Sequence, residues 1–232
     1  PDRSQQKNPG AHQAKGSHLL FLDPAMEVEE GLLLALANLA TRKVQAAVIP
    51  EYPIGSDFWS KAIALERTCY QGNELLEAPR FIEKRIFQAL GGYSPELIAG
   101  EDWDLGQRLR ARGIPIPRTR KRLLHHEAPG FAPSLRRKWY YLRNIHRYAG
   151  KYPHLFREQE NLQNRLAIFW RAKTLLAKHP FHTVAFLMLK AIVYFRWMLE
   201  KNERSKDIHP QTGGPHSSGS RTQTGRKTSK SR

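Results

Sequence analysis

Three carboxylates crowd into the segment Gly100-Glu101-Asp102-Trp103-Asp104-Leu105. Acids set side by side at the mouth of a short helix suit general-base work, because a positioned carboxylate can take the proton of an attacking hydroxyl. From Asp102 the apolar residues Trp103, Leu105 and Leu109 predict a helix, with Arg108, Arg110 and Arg112 facing mostly outward and Gly113 as its left-handed stop. The plainer alternative is that Glu101 and Asp102 only cap this helix. A further acid, Asp23, ends the apolar run Ser17-His18-Leu19-Leu20-Phe21-Leu22. Ligands of open α/β sheets gather beyond the carboxyl ends of strands, so Asp23 is a second candidate.

The elements that must hold these acids can be read coarsely. Residues 17–22 are of strand length. Pro24 is expected to open a helix carrying Glu27, Glu29 and Glu30 in its first turns and apolar residues from Leu32 to Leu39. Residues 44–49 read as a strand ended by Pro50, and residues 57–70 as a helix with Ser56 as N-cap. An extended run near 75–82, a short helix over 84–90 and the Gly91-Gly92 break follow. The order is that of an α/β fold.

Length and charge bound the class. The 232 residues suffice for a sizeable core, and 40% hydrophobic content supports one. The lone Cys69 excludes an internal disulfide framework and any multi-cysteine zinc site; on its helical pattern it reads as a buried structural thiol. The net charge of +17 is unevenly spread. Nine Lys and Arg fall between Arg118 and Arg147, opposed there only by Glu127, with Trp139, Tyr140, Tyr141 and Tyr148 among the later ones. Such a mixture can bind single-stranded nucleic acid, an anionic membrane, or the diphosphate of a nucleotide sugar, or it can be a solvated basic helix whose aromatics lie in a core.

The order of these pieces resembles glycosyltransferase family 2, the inverting nucleotide-sugar transferases of GT-A fold. The resemblance rests on Gln6-Lys7-Asn8-Pro9-Gly10-Ala11, on Lys15-Gly16-Ser17 through Asp23, on Ala78-Pro79-Arg80-Phe81-Ile82 through Leu90-Gly91-Gly92-Tyr93, and on Gly100 through Leu105. It covers most of residues 1 to about 200. No single piece is specific; their order and spacing carry the resemblance.

By that resemblance Asp102 is the catalytic base, with Glu101 supporting it or holding the acceptor. Asp23, Arg80 and His126 bind the donor, a nucleotide-diphosphate sugar, most simply a UDP-sugar. Asp23, Glu27 and His125 are the candidate ligands of Mn²⁺ or Mg²⁺, hard ions that prefer oxygen ligands. The two adjacent histidines, His125 and His126, are not distinguished by sequence. Two features depart from the family. The metal motif reads Asp23-Pro24-Ala25, so its second acid is an alanine, which places metal dependence in question. The strands expected to hold the uracil and ribose should also precede Gln6, so the chain reads as a partial, Rossmann-like GT-A domain lacking its N-terminal part. The implied acceptor is a lipid or polysaccharide hydroxyl.

Three divisions are expected: residues 1–134 as the transferase part, 135–200 as a helical, membrane-associated extension, and 201–232 as a disordered basic tail too polar to offset the entropy of ordering. Arg137-Lys138-Trp139 weakly resembles a motif of processive family members. Residues 181–199 are apolar but broken by His182, Lys190 and Arg196, so an interfacial helix and a core helix closing the domain are the two expectations, ahead of a spanning one. Basic flanks at Lys173, Lys178, Lys201 and Arg204 point to a cytoplasmic location at the membrane surface. The alternative to an enzyme is a non-catalytic basic module for nucleic acid or anionic membrane, of which nucleic acid is the weaker.

Overall fold

The computed structural model describes residues 3–208, with side chains over 6–199. It is a mixed α/β protein in which two three-stranded sheets are set among helices. In the first sheet β1 (His18–Leu20) and β3 (Ala46–Val48) both run antiparallel to the central β5 (Pro79–Glu83). In the second, β6 (Leu123–His126) lies between antiparallel β2 (Met26–Val28) and parallel β4 (Glu51–Ile54).

Helix α1 (Arg3–Gln13) precedes the first strand, and its Ala11 joins Leu19, Phe21, Ile82, Phe87, Tyr93, Leu105 and Leu109 in one core. Helix α2 (Leu32–Thr41) buries Leu32 and Leu36 against Ala47, Ile49, Phe81 and Leu123 in another. Helix α3 (Phe58–Cys69), α4 (Lys84–Ala89) and α5 (Glu101–Ala111) complete the frame around the acids.

The expected helix starting at Pro24 does not form there. Residues 26–28 pair with β6 instead, and α2 begins only after Gly31, whose φ of +79° is left-handed. Glu27 is therefore a strand residue. Glu29 accepts the Arg122 backbone N–H at 2.7 Å, which fastens β2 beside the end of the basic loop. The N-cap of α3 is Asp57 rather than Ser56: Asp57 accepts the Ser60 N–H at 2.7 Å and Ser60 returns the bond through its hydroxyl, a reciprocal capping box. Cys69 is half-buried, and burial together with the Glu66 charge pushes its thiol up to about 11, in keeping with a structural role.

Helices α6 (Phe131–Asn144), α7 (His146–Lys151), α8 (Pro153–Glu160), α9 (Leu162–Arg171), α10 (Lys173–Lys178) and α11 (Pro180–Ile208) follow. Helix α6 runs through the expected boundary at 134/135, and the chain divides into compact units between Phe195 and Arg196. Residues 201–208, expected to be part of a disordered tail, are helical; residues 209–232 of that expectation lie outside the described residues.

Candidate active site

Strand β5 presents Arg80 from the middle of the first sheet, and this guanidinium gathers the acids around it. Its Nη2 lies 3.2 Å from Asp23 Oδ2 and 2.6 Å from Glu51 Oε1. Lys7 of α1 approaches the other Asp23 oxygen at 3.0 Å. Burial disfavours the Arg80 charge, but Glu51, Asp23 and Asp102 more than offset it and raise its pKa. The two acids expected to serve donor and acceptor, far apart in sequence, thus act on one buried cation.

The network continues inward from Glu51. His125 Nδ1 lies 2.9 Å from Glu51 Oε2, and Arg67 of α3 pairs with the same oxygen. Arg67 also reaches the fully buried Glu127 at 2.5 Å, and Arg137 of α6 pairs with the other Glu127 oxygen. Burial would raise the Glu51 carboxyl, yet the His125 hydrogen bond and the charges of Arg80 and Arg67 hold it well below the usual carboxylate range. Glu127 is likewise lowered against burial by Arg67 and Arg137. Alternating signs at this depth make each partner indispensable, since a buried charge left alone is costly.

Helix α5 brings the acidic triplet to the site, and each member does something different. Asp104 is fully buried and saturated: it accepts from Ser94 Oγ at 2.7 Å and Tyr152 OH at 2.8 Å, and pairs with Arg108 and Lys151, both at 2.7 Å. Arg108, expected to face outward, turns in to make that bond and donates to the carbonyls of Leu90 and Gly92, both at 2.7 Å. Asp104 is therefore the strut that orients the helix. Glu101 is buried. Asp102 is half-buried, and its Oδ1 accepts the Trp103 N–H at 2.8 Å. The cap position itself is Gly100 and no side chain makes a cap hydrogen bond there, so the capping alternative is not what Asp102 does, while its charge acts on Arg80 and Tyr93.

Gly100 holds φ +80°, and a Cβ there would meet Tyr148 Cγ at 2.8 Å. The Gly91-Gly92 turn is clasped by Asn8, which donates to the Tyr93 carbonyl at 2.8 Å and accepts the Tyr93 N–H at 2.9 Å. Burial, with Asp102 next in weight, pushes the Tyr93 phenol far up, so it stays neutral.

The expected donor and metal residues separate. Asp23 and Arg80 meet. His125 faces inward to Glu51, whereas its strand neighbour His126 faces out and pairs with the exposed Glu27 at 3.2 Å. Strand alternation sets the two histidines on opposite faces. Among the described residues no three His, Cys, Asp or Glu side chains converge to hold a metal ion. The set Asp23, Glu27 and His125 does not fit a divalent ion, because Asp23 is already flanked by two cations and the other two residues are committed elsewhere.

Lys7, Glu51, Arg67, Glu127 and Arg137 were not anticipated as site residues. Glu51 had a readable signal: it follows the strand ended by Pro50, the placement that singled out Asp23. For the others no local signal exists. Compared with known proteins, the chain matches no family model and no curated sequence.

Proposed function

We propose that this chain belongs to an inverting glycosyltransferase of GT-A type that moves a sugar from a nucleotide diphosphate, a UDP-sugar first, to an acceptor hydroxyl. The observation that supports this most is the pairing of Asp23 with Arg80, a guanidinium on which the charge of Asp102 also acts through space. In this reading Asp102 takes the proton from the acceptor hydroxyl, and the freed oxygen forms a bond to the anomeric carbon. The bond from that carbon to the diphosphate breaks, and the nucleotide leaves with the electron pair, so configuration inverts. Lys7 and Arg80 supply positive charge beside the diphosphate, a task a metal would otherwise perform; charge stabilisation of this kind is often the largest catalytic contribution.

The competing basic-module reading loses ground to the pairing of its best region. Arg118, Arg122, Arg137 and Lys138 are matched by Glu77, Glu29, Glu127 and Glu66, and Trp139 and Tyr148 are buried. Titrating the purified chain with UDP and following tryptophan fluorescence tests the donor half, with Trp103 beside Asp102 as reporter. Saturable binding that Arg80→Ala abolishes supports the proposal; a folded chain that ignores UDP but binds oligonucleotides with a steep salt dependence favours the module.

A further inference from the structure

Helix α11 is turned inside out over residues 181–195. Every residue it exposes there is apolar or aromatic: Phe181, Val184, Leu187, Met188, Ala191, Ile192, Tyr194 and Phe195. Its polar residues point the other way. Lys190 reaches inward to the buried Glu66 at 2.9 Å, and the His182 ring packs on Phe58 at 5.0 Å. Water is the wrong solvent for such a face, since a soluble helix normally hides its apolar stripe and shows its charges. The expectation of a core helix closing the domain fails on the same ground: only 17% of the apolar stretch Pro180–Leu199 is buried. Helix α9, in contact through Phe169 and Phe186 at 5.6 Å, adds a second exposed stripe of Leu162, Leu166 and Trp170.

We propose that this outward face of α11 lies in the headgroup boundary of an anionic lipid bilayer. Charge selects the occupant. Residues 161–199 contain no Asp or Glu, while Arg171, Lys173 and Lys178 are exposed on the segment leading into α11. Lys173 sits 4.6 Å over the Trp170 ring, an amphipathic pairing suited to the level of lipid headgroups. A second copy of a chain carrying +17 would bring like charge to the face, whereas anionic headgroups bring the opposite sign. Geometry selects in-plane binding over spanning. Ala185 and Phe186 pack on Ala62 and Leu65 of α3, and Lys190 is tied to Glu66, so only one side of the helix is left for lipid. None of this depends on the glycosyl-transfer reading.

The test is flotation of the full chain with vesicles of phosphatidylcholine, and of phosphatidylcholine with an equal part of phosphatidylglycerol. The chain should float with the anionic vesicles and release at high salt or at alkaline carbonate. The double substitution Leu187→Glu and Met188→Glu should cut the bound fraction roughly tenfold or more per residue, the value of removing one large side chain from an apolar phase. Both positions are exposed, and an unchanged circular dichroism spectrum and denaturation midpoint confirm that the variant folds. Should that variant fold poorly, Phe181→Ser with Val184→Ser repeats the measurement at the other end of the face. Folded parent chain that stays unbound overturns the proposal, as does a variant that floats undiminished. A lipid-free dimer abolished by the same substitutions would assign the face to a second copy instead, and resistance to carbonate would assign it to a span.

Discussion

Asp23 and Glu51 share one guanidinium: Arg80 stands 3.2 Å from the first and 2.6 Å from the second. The two acids come from the loop after β1 and from the start of β4, in different sheets, so Arg80 is at once a candidate donor ligand and the ionic tie between sheets.

Removing that tie should cost both binding and stability. Arg80→Ala leaves two partly buried carboxylates without their shared partner, and about 3 to 5 kcal/mol is the usual loss when one member of a buried pair is deleted. Arg80→Lys should recover only part, because a single ammonium cannot match a planar fork between two acids. Urea denaturation of the two variants measures this; equal stability of Arg80→Ala and the parent would contradict the network.

Asp102→Asn should behave in the opposite way. The side chain keeps its size and its oxygen for the Trp103 N–H, so the unfolding free energy should stay within about 0.5 kcal/mol of the parent. Transfer from a UDP-sugar should fall by about a hundredfold or more, the ordinary contribution of a general base, while UDP binding persists. Near-normal turnover in this variant would remove Asp102 from the mechanism.

The clasp between Asn8 and Tyr93 offers a purely structural check. Asn8→Ala strips a donor and an acceptor from a part-buried backbone, which should cost about 1 to 3 kcal/mol. Gly92→Ala should be at least as harmful, since φ is +72° and the new Cβ would stand 2.8 Å from Asn8 Oδ1. Combining the two should cost less than the sum, because the first change removes the atom the second would strike.

Acid should unfold the protein partly through Glu66. Burial raises this carboxyl, but Lys138 and Lys190 outweigh it and hold the group at about 2 against an ordinary 4.5. A folded-state value below the unfolded one favours the native state above the unfolded pKa. That contribution, on the order of a few kcal/mol, is lost as pH falls from about 4.5 towards 2. Glu66→Gln should lower stability at neutral pH and flatten the decline over this window in denaturation curves recorded at successive pH values.

Manganese should leave UDP affinity unchanged, because the expected metal ligands are directed apart and Asp23 faces Lys7 and Arg80. Calorimetric titration with UDP in the presence of Mn²⁺ or of a chelator decides it, and an affinity increase with the metal would mean that donor binding reorganises these side chains.

Much of the frame was legible from local pattern. The strand at 44–49, the latter part of the run near 75–82 (from Pro79; residues 74–76 form a turn), the short helix after Lys84, the left-handed glycines at 91, 92 and 113 and the helix opened by the acidic triplet all carry their signals within a few residues. The segment after Pro24 misled because acids followed by an apolar run look the same whether or not a strand precedes the helix; pairing of Met26, Glu27 and Val28 with β6 settled it. The pairing of the basic stretch is not local either: Glu29, Glu66 and Glu77, which match Arg122, Lys138 and Arg118, lie far from it in sequence.

By itself, the sequence determined which residues could do chemistry, where the backbone must turn and that α11 would be apolar, since residue type, glycine geometry and hydropathy are local properties. Only the tertiary structure decided which of the three carboxylates is a strut and which acts through space on Arg80, which histidine turns inward, and that Lys190 points into the protein while its apolar neighbours point out. Those outcomes depend on partners far away in sequence, such as Tyr152, Arg80, Glu51 and Glu66, and a pairing across such a distance is set by the folding of both segments and written in neither one alone.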